Sequence, residues 1–141
     1  MKKIIHNLSI FILILFLSNC DSPTENENTH ELVGSWNWIQ SSFTTGSDVD
    51  IQVPDDDNYQ VLTFNQDGVF TFLGLELGEE LTGNGTWTTN GNTLEIKQYV
   101  SESDGEWTSM FNYSITNNIL TMTMTTEGDV TTITEMKYEK Q

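Results

Sequence analysis

Through its second half the chain is broken at short intervals by turn formers: Gln66-Asp67-Gly68, Asn90-Gly91, Asn117-Asn118 and Glu127-Gly128-Asp129. Gly and Asn tolerate the positive φ that tight hairpins require, and Asn-Gly between alternating segments is the strongest short hairpin signal. Punctuation at roughly 8–12-residue spacing leaves no room for long helices and suits a sandwich or barrel of short strands. Tight connections also force sequential antiparallel neighbours, so the strands must form a meander.

The segments between the turns carry the period of two that a half-buried strand needs. Residues 32–43 place Trp36 and Trp38 on one face, and residues 44–58 read as a polar stretch containing Asp55-Asp56-Asp57. Residues 59–65 turn Leu62 and Phe64 inward, and 69–75 do the same with Phe70 and Phe72. A loop is expected over 78–85, followed by a strand at 85–89 carrying Trp87. Residues 93–100 set Leu94 and Ile96 against Glu95 and Lys97, and residues 101–105 form a loop. Residues 106–116 align Trp107, Phe111, Tyr113 and Ile115. Residues 119–126 oppose Leu120, Met122 and Met124 to a row of threonines, and 130–139 supply the last strand. Residues 20–141 hold twenty threonines and no alanine, which favours pleated over helical structure. The expectation is all-β: an eight-stranded antiparallel up-and-down barrel, with a two-sheet sandwich as its rival.

The N-terminus is of another kind. Lys2 and Lys3 precede an unbroken apolar run, residues 10–17, too short to span a bilayer at roughly 20 residues. Leu17-Ser18-Asn19-Cys20 resembles the lipobox of bacterial lipoproteins. That resemblance implies removal of residues 1–19, lipidation of the Cys20 sulfur and acylation of the new N-terminus. Cys20 is the only cysteine, so it has no disulfide partner within the chain. Two or more acyl chains anchor stably where one does not. Residues 20–31 read as a polar tether, and residues 32–141 as the barrel domain. Acidic residues after a lipidated cysteine resemble a surface-export signal in some Gram-negative phyla, and Asp at the next position an inner-membrane signal in others. The outer membrane is the expected location.

Within the barrel, Gly34-Ser35-Trp36 matches the Gly-x-Trp that opens lipocalins. Residues 62–70, Leu-Thr-Phe-Asn-Gln-Asp-Gly-Val-Phe, and Gly85-Thr86-Trp87 with Gly91-Asn92-Thr93-Leu94 match two hairpins of the bacterial lipocalin-like domain proteins. Tyr113-Ser114-Ile115 and residues 118–122 fit the pair that follows. Over residues 32–138 the chain resembles that family, which implies a lipocalin-like barrel, found largely in secreted lipoproteins. In lipocalins an arginine from the last strand packs over the Gly-x-Trp tryptophan. This chain has no arginine, and only Lys137 or Lys140 stands in reach of that role.

Composition narrows the functions. Without Lys2 and Lys3, three lysines face 21 acidic residues, a net charge of −18 that repels nucleic acid and anionic head groups. His6 departs with the signal and His30 falls in the tether, so the barrel is expected to have no histidine base or metal ligand. No Gly-x-Ser-x-Gly or His-Glu-x-x-His motif occurs, and the chain is not expected to be an enzyme or to carry a cofactor. Asp48, Asp50 and Asp55-Asp56-Asp57 lack the register of a calcium loop and read as a solvated acidic loop, as does Glu79-Glu80. The candidate ligand-binding interior is Trp36, Trp38, Phe64, Phe70, Phe72, Trp87, Phe111, Tyr113, Met122 and Met124, with Leu62, Leu94, Ile96 and Leu120 on the same face. Either these side chains line a pocket for a small apolar or amphipathic ligand, or they fill a small barrel that serves as a structural or protein-interaction module.

Overall fold

The computed structural model describes residues 30–101 and 105–141, which form nine antiparallel strands. The expected signal peptide, Cys20 and the tether as far as Thr29 lie outside the described residues. The strands are β1 (Gly34–Thr45), β2 (Asp48–Gln52), β3 (Tyr59–Phe64), β4 (Val69–Glu76), β5 (Glu79–Asn90), β6 (Thr93–Ser101), β7 (Gly105–Thr116), β8 (Ile119–Thr126) and β9 (Thr132–Lys140). From β3 to β9 each strand pairs with the next, and β9 returns to β1. β1 also pairs with β3, so eight strands close an up-and-down barrel and remove its edges.

β2 is the departure from the expected meander. β9 runs along one edge of β1 from Trp36 to Thr45. On the other edge β3 pairs with residues 34–37 and β2 with residues 41–45. β2 and β3 are thus one interrupted strand, from which residues 53–58 bulge away. The sequence shows why the stretch 44–58 reads as a loop: Asp48, Asp50 and Gln52 occupy the inward-facing register positions, and Val49 and Ile51 face out. The alternation is present but inverted.

The predicted loop over 78–85 is likewise a strand. The turn is only Leu77-Gly78, both at positive φ, between the opposed Glu76 and Glu79. β5 then runs inward-facing Gly83 and Gly85 along β4, and two missing side chains erase the apolar signal. Gly83 is required where it stands, because the Phe72 ring lies against the site of its absent Cβ. Asn117-Asn118 behaves as expected, both at positive φ in a two-residue turn.

The two barrel ends differ. At the end holding the start of β1 and the turns after β3, β5 and β7, Leu32, Trp36, Phe64, Leu94 and Leu120 are fully buried, with Phe70 and Met122 almost so. Phe64 packs edge-on to Trp87 at 5.6 Å and against Phe70 at 5.3 Å. Trp36 donates its indole N–H to the Leu32 carbonyl at 2.8 Å, and Trp87 donates to that of Asn65 at 3.0 Å, so neither buried donor is orphaned.

The barrel's packing starts with Leu32, the first residue of the expected domain, and extends back to His30. Leu32 plugs the barrel base. His30 stacks edge-on to Trp87 at 5.3 Å, accepts the Leu32 N–H at Nδ1, and lies 3.2 Å from the Thr89 hydroxyl through Nε2. The domain therefore begins at or before His30, and its histidine is a packing residue at the closed end.

Candidate functional site

The core does not continue to the other end. A single irregularity in β1 sets where it stops. The register with β9 slips between Trp38 and Gln40, leaving Ile39 as an extra residue. After such a bulge the alternation changes phase. Trp38 and Ser41, three positions apart, therefore both face the interior opposite Tyr138 and Met136. Trp38 donates its indole N–H to Ser41 Oγ at 2.9 Å.

Across the lumen the Tyr138 hydroxyl donates to Gln60 Oε1 at 2.7 Å. Burial pushes the Tyr138 phenol well above the ordinary tyrosine value. Tyr138, Trp38, Phe72 and Met136 form the floor of a cavity of about 600 Å³ that opens through the barrel mouth. Its wall includes Gly74 and Leu81, whose register positions face inward, and its rim includes Gln52, Asp55, Asn58 and Glu76. The volume lies within the roughly 300–1,000 Å³ of small-molecule sites.

Residues 53–58 shape this mouth. Asp55 Oδ1 accepts the Asp57 N–H at 2.9 Å and an Asn58 amide hydrogen at 3.1 Å, so the carboxylate closes its own turn. The loop then clasps the β4–β5 hairpin: the Leu77 N–H donates to Asn58 Oδ1 and the Gly78 N–H to the Asp57 carbonyl, both at 3.1 Å. Among the described residues no group of three His, Cys, Asp or Glu is placed to hold a metal ion. A second hollow, of about 690 Å³, is lined by Val61, Thr63, Thr71, Leu73 and Thr82. These residues alternate outward, so it is a groove on the outer wall rather than part of the lumen.

The lipocalin-like domain profile matches residues 32–122, well over half of the chain. The chain belongs to the lipocalin-like family. Among solved structures, a lipocalin-like protein from Bacteroides uniformis superposes with a TM-score of 0.57 at 17% identity, covering 79% of this chain and all of the other. An uncharacterized protein from Bacteroides eggerthii gives 0.52 at 15% identity with the same coverages. At such identities the likeness is one of fold. No curated protein matches the chain.

The lipocalin-like assignment gives Lys140 a role. Its ammonium lies 5.1 Å from the centroid of the Trp36 ring and donates to the Glu31 carbonyl at 3.1 Å. This is the position that the lipocalin arginine would fill. Gly34, at φ +131, belongs to the same arrangement, since a Cβ there would stand 3.1 Å from Lys140 Cε. Lys137 faces the other way and pairs with Glu135 at 3.0 Å.

The lipocalin-like barrel divides the sequence candidates sharply. Trp38 and Phe72 line the cavity. Trp36, Phe64, Phe70, Trp87 and Phe111 are buried in the packed half, and Met122 is buried at its boundary, directly across from Met136. Tyr113 and Met124 pack against that core, half-buried. Burial and then the Glu31 carboxylate raise the Tyr113 phenol, against a hydrogen bond to Thr89 that lowers it. Sequence reasoning missed Ser41, Gln60, Leu81, Met136 and Tyr138. Met136 and Tyr138 were findable, because they alternate in the last strand. Ser41 was not, because only the bulge turns it inward.

Proposed function

We propose that this protein is a lipid-tethered, lipocalin-like binding protein of the bacterial envelope, holding a small apolar or amphipathic ligand in the upper half of its barrel. One observation carries the reading. The lumen is packed solid below Tyr138 and left as a cavity of about 600 Å³ above it, with an aromatic floor and a polar rim. A barrel that is only a scaffold gains stability by filling that space, since each further buried side chain contributes about 1.5–3 kcal/mol. Tyr138, Trp38 and Phe72 offer apolar area at low entropic cost, and Gln60 keeps its amide hydrogens free for a ligand oxygen among the described residues. The proposal includes no catalytic step.

The test is native mass spectrometry and tryptophan-emission titration of residues 20–141, carrying Cys20→Ser, against a panel of single-chain lipids. Saturable one-to-one binding is expected, and no response to any member would refute the reading. The envelope part rests on the sequence at residues 1–20. Inhibiting signal peptidase II should leave an uncut precursor, and unchanged processing would remove it.

A rival reading, a protein-interaction module, draws on one feature. Among the described residues β2 pairs on one side only, and its outward Val49 and Ile51 are about 60% exposed beside Ile133. Under that reading Ile51→Lys would abolish capture of an envelope partner and leave lipid binding intact.

A further inference from the structure

The barrel mouth is assembled against its own electrostatics. Glu76 and Glu79 stand directly opposite each other across the β4–β5 turn, a like-charge juxtaposition that destabilises a sheet. Leu77 between them is held at φ +53, where a bulky residue is strained, and its side chain is 85% exposed. The clasp formed by residues 53–58 brings Asp55 and Asp57 to the same side. No lysine among the described residues answers these charges. Lys97 pairs with Glu95 and Glu106 on the outer wall, Lys137 pairs with Glu135, and Lys140 lies at the closed end over Trp36.

Below that rim the cavity is apolar apart from Ser41 and the Tyr138–Gln60 hydrogen bond. Ser41 is only 7% exposed, lines the cavity, and accepts from the Trp38 indole. The site thus offers an aromatic floor and an entrance of one sign. Like charges around a low-dielectric cleft focus the field and concentrate the opposite charge. A cation entering a cavity floored by Trp38, Phe72 and Met136 gains most when it carries an apolar part that those side chains cover.

We propose that the cavity takes a single-chain amphiphile with a cationic head group, its chain on Trp38, Phe72 and Met136 and its ammonium held by Glu76 and the neighbouring acids. The proposal rests on the reading of the cavity as a ligand site. The net charge of −18 and the anionic rim exclude fatty-acid-like ligands by the same field.

The experiment titrates residues 20–141, carrying Cys20→Ser, with decyltrimethylammonium, decanoate and decyl glucoside, each below its micelle concentration, at 10 mM and 300 mM salt. At low salt the cation should bind at least tenfold more tightly than decanoate, with decyl glucoside between. High salt should shrink the cation's advantage, since screening falls below 10 Å beyond about 0.1 M. The E76K/E79K variant should lose the cation preference, with circular dichroism showing that the barrel stays folded. Equal binding of all three ligands would overturn the cation proposal and leave the cavity reading standing. A preference that persists in E76K/E79K would overturn the assignment to these carboxylates. Binding of none would overturn both.

Discussion

Replacing Lys140 by Met keeps the length and apolar stem of the side chain and removes its charge. In the wild type that charge lies 5.1 Å from the Trp36 ring and donates to the Glu31 carbonyl at 3.1 Å. A cation–π contact at a partly exposed site contributes about 0.5–1 kcal/mol. The solvent-exposed hydrogen bond to Glu31 adds about 0.5–1 kcal/mol, the range of an ordinary hydrogen bond rather than of a buried charged one. K140M should therefore destabilise the barrel by about 1–2 kcal/mol. For a domain of this size that is a fall in Tm of about 4–8 °C, read by circular dichroism or calorimetry. K137M is the control. Its ion pair with Glu135 is more than a third exposed on both sides, and such pairs contribute about 0–1 kcal/mol. K140R should hold wild-type stability, since guanidinium stacks on indole at least as well as ammonium. If K140M and K137M unfold at the same temperature, Lys140 does not stand in for the lipocalin arginine, and the account of the closed end fails.

Three further outcomes follow from the same geometry. L77G should raise stability by about 1 kcal/mol in urea denaturation, because it removes a left-handed Leu with an 85% exposed side chain. Leu32 is fully buried and carries the acceptor for the Trp36 indole, so L32A should cost about 2–5 kcal/mol, and a chain beginning at Gly34 should lose more than that. Tyr138 is raised by burial, so its protonated form is favoured in the folded state. The stability it contributes is complete below the unfolded tyrosine value of about 10 and is lost as pH rises above it. In an absorbance titration at alkaline pH, the Tyr138 phenol should ionise only together with unfolding. Its ionisation in a still-folded barrel would contradict the assignment.

The sequence carried the barrel but not its division into two halves. Hairpins at Asp67-Gly68 and Asn117-Asn118 are chemically explicit, and every residue of the expected inward face occupies an inward-facing register position, from Trp36 to Met124. The errors share one cause: periodicity reads side chains, and the mouth is built from their absence or inversion. β2 turns Asp48 and Asp50 inward, β5 lacks side chains at Gly83 and Gly85, and the Ile39 bulge changes the phase of β1. The alternation Met136, Tyr138, Lys140 in β9 held both the cavity floor and the cap on Trp36, and it was legible. Which apolar side chains would fill the lumen and which would border a cavity was not, because that depends on how far down the barrel each strand enters.

The central claim is that a ligand occupies the upper lumen, above Tyr138. The most direct measurement is an NMR experiment on methyl-labelled methionine protein with bound decyltrimethylammonium. Met136 lines the cavity, Met122 lies directly across from it on β8, and Met110 is 59% exposed on the outer wall. The account predicts intermolecular Overhauser contacts from the decyl chain to the Met136 methyl and the Trp38 indole, and none to Met110. Contacts to Met110 alone, or to no methionine at saturating ligand, would contradict it.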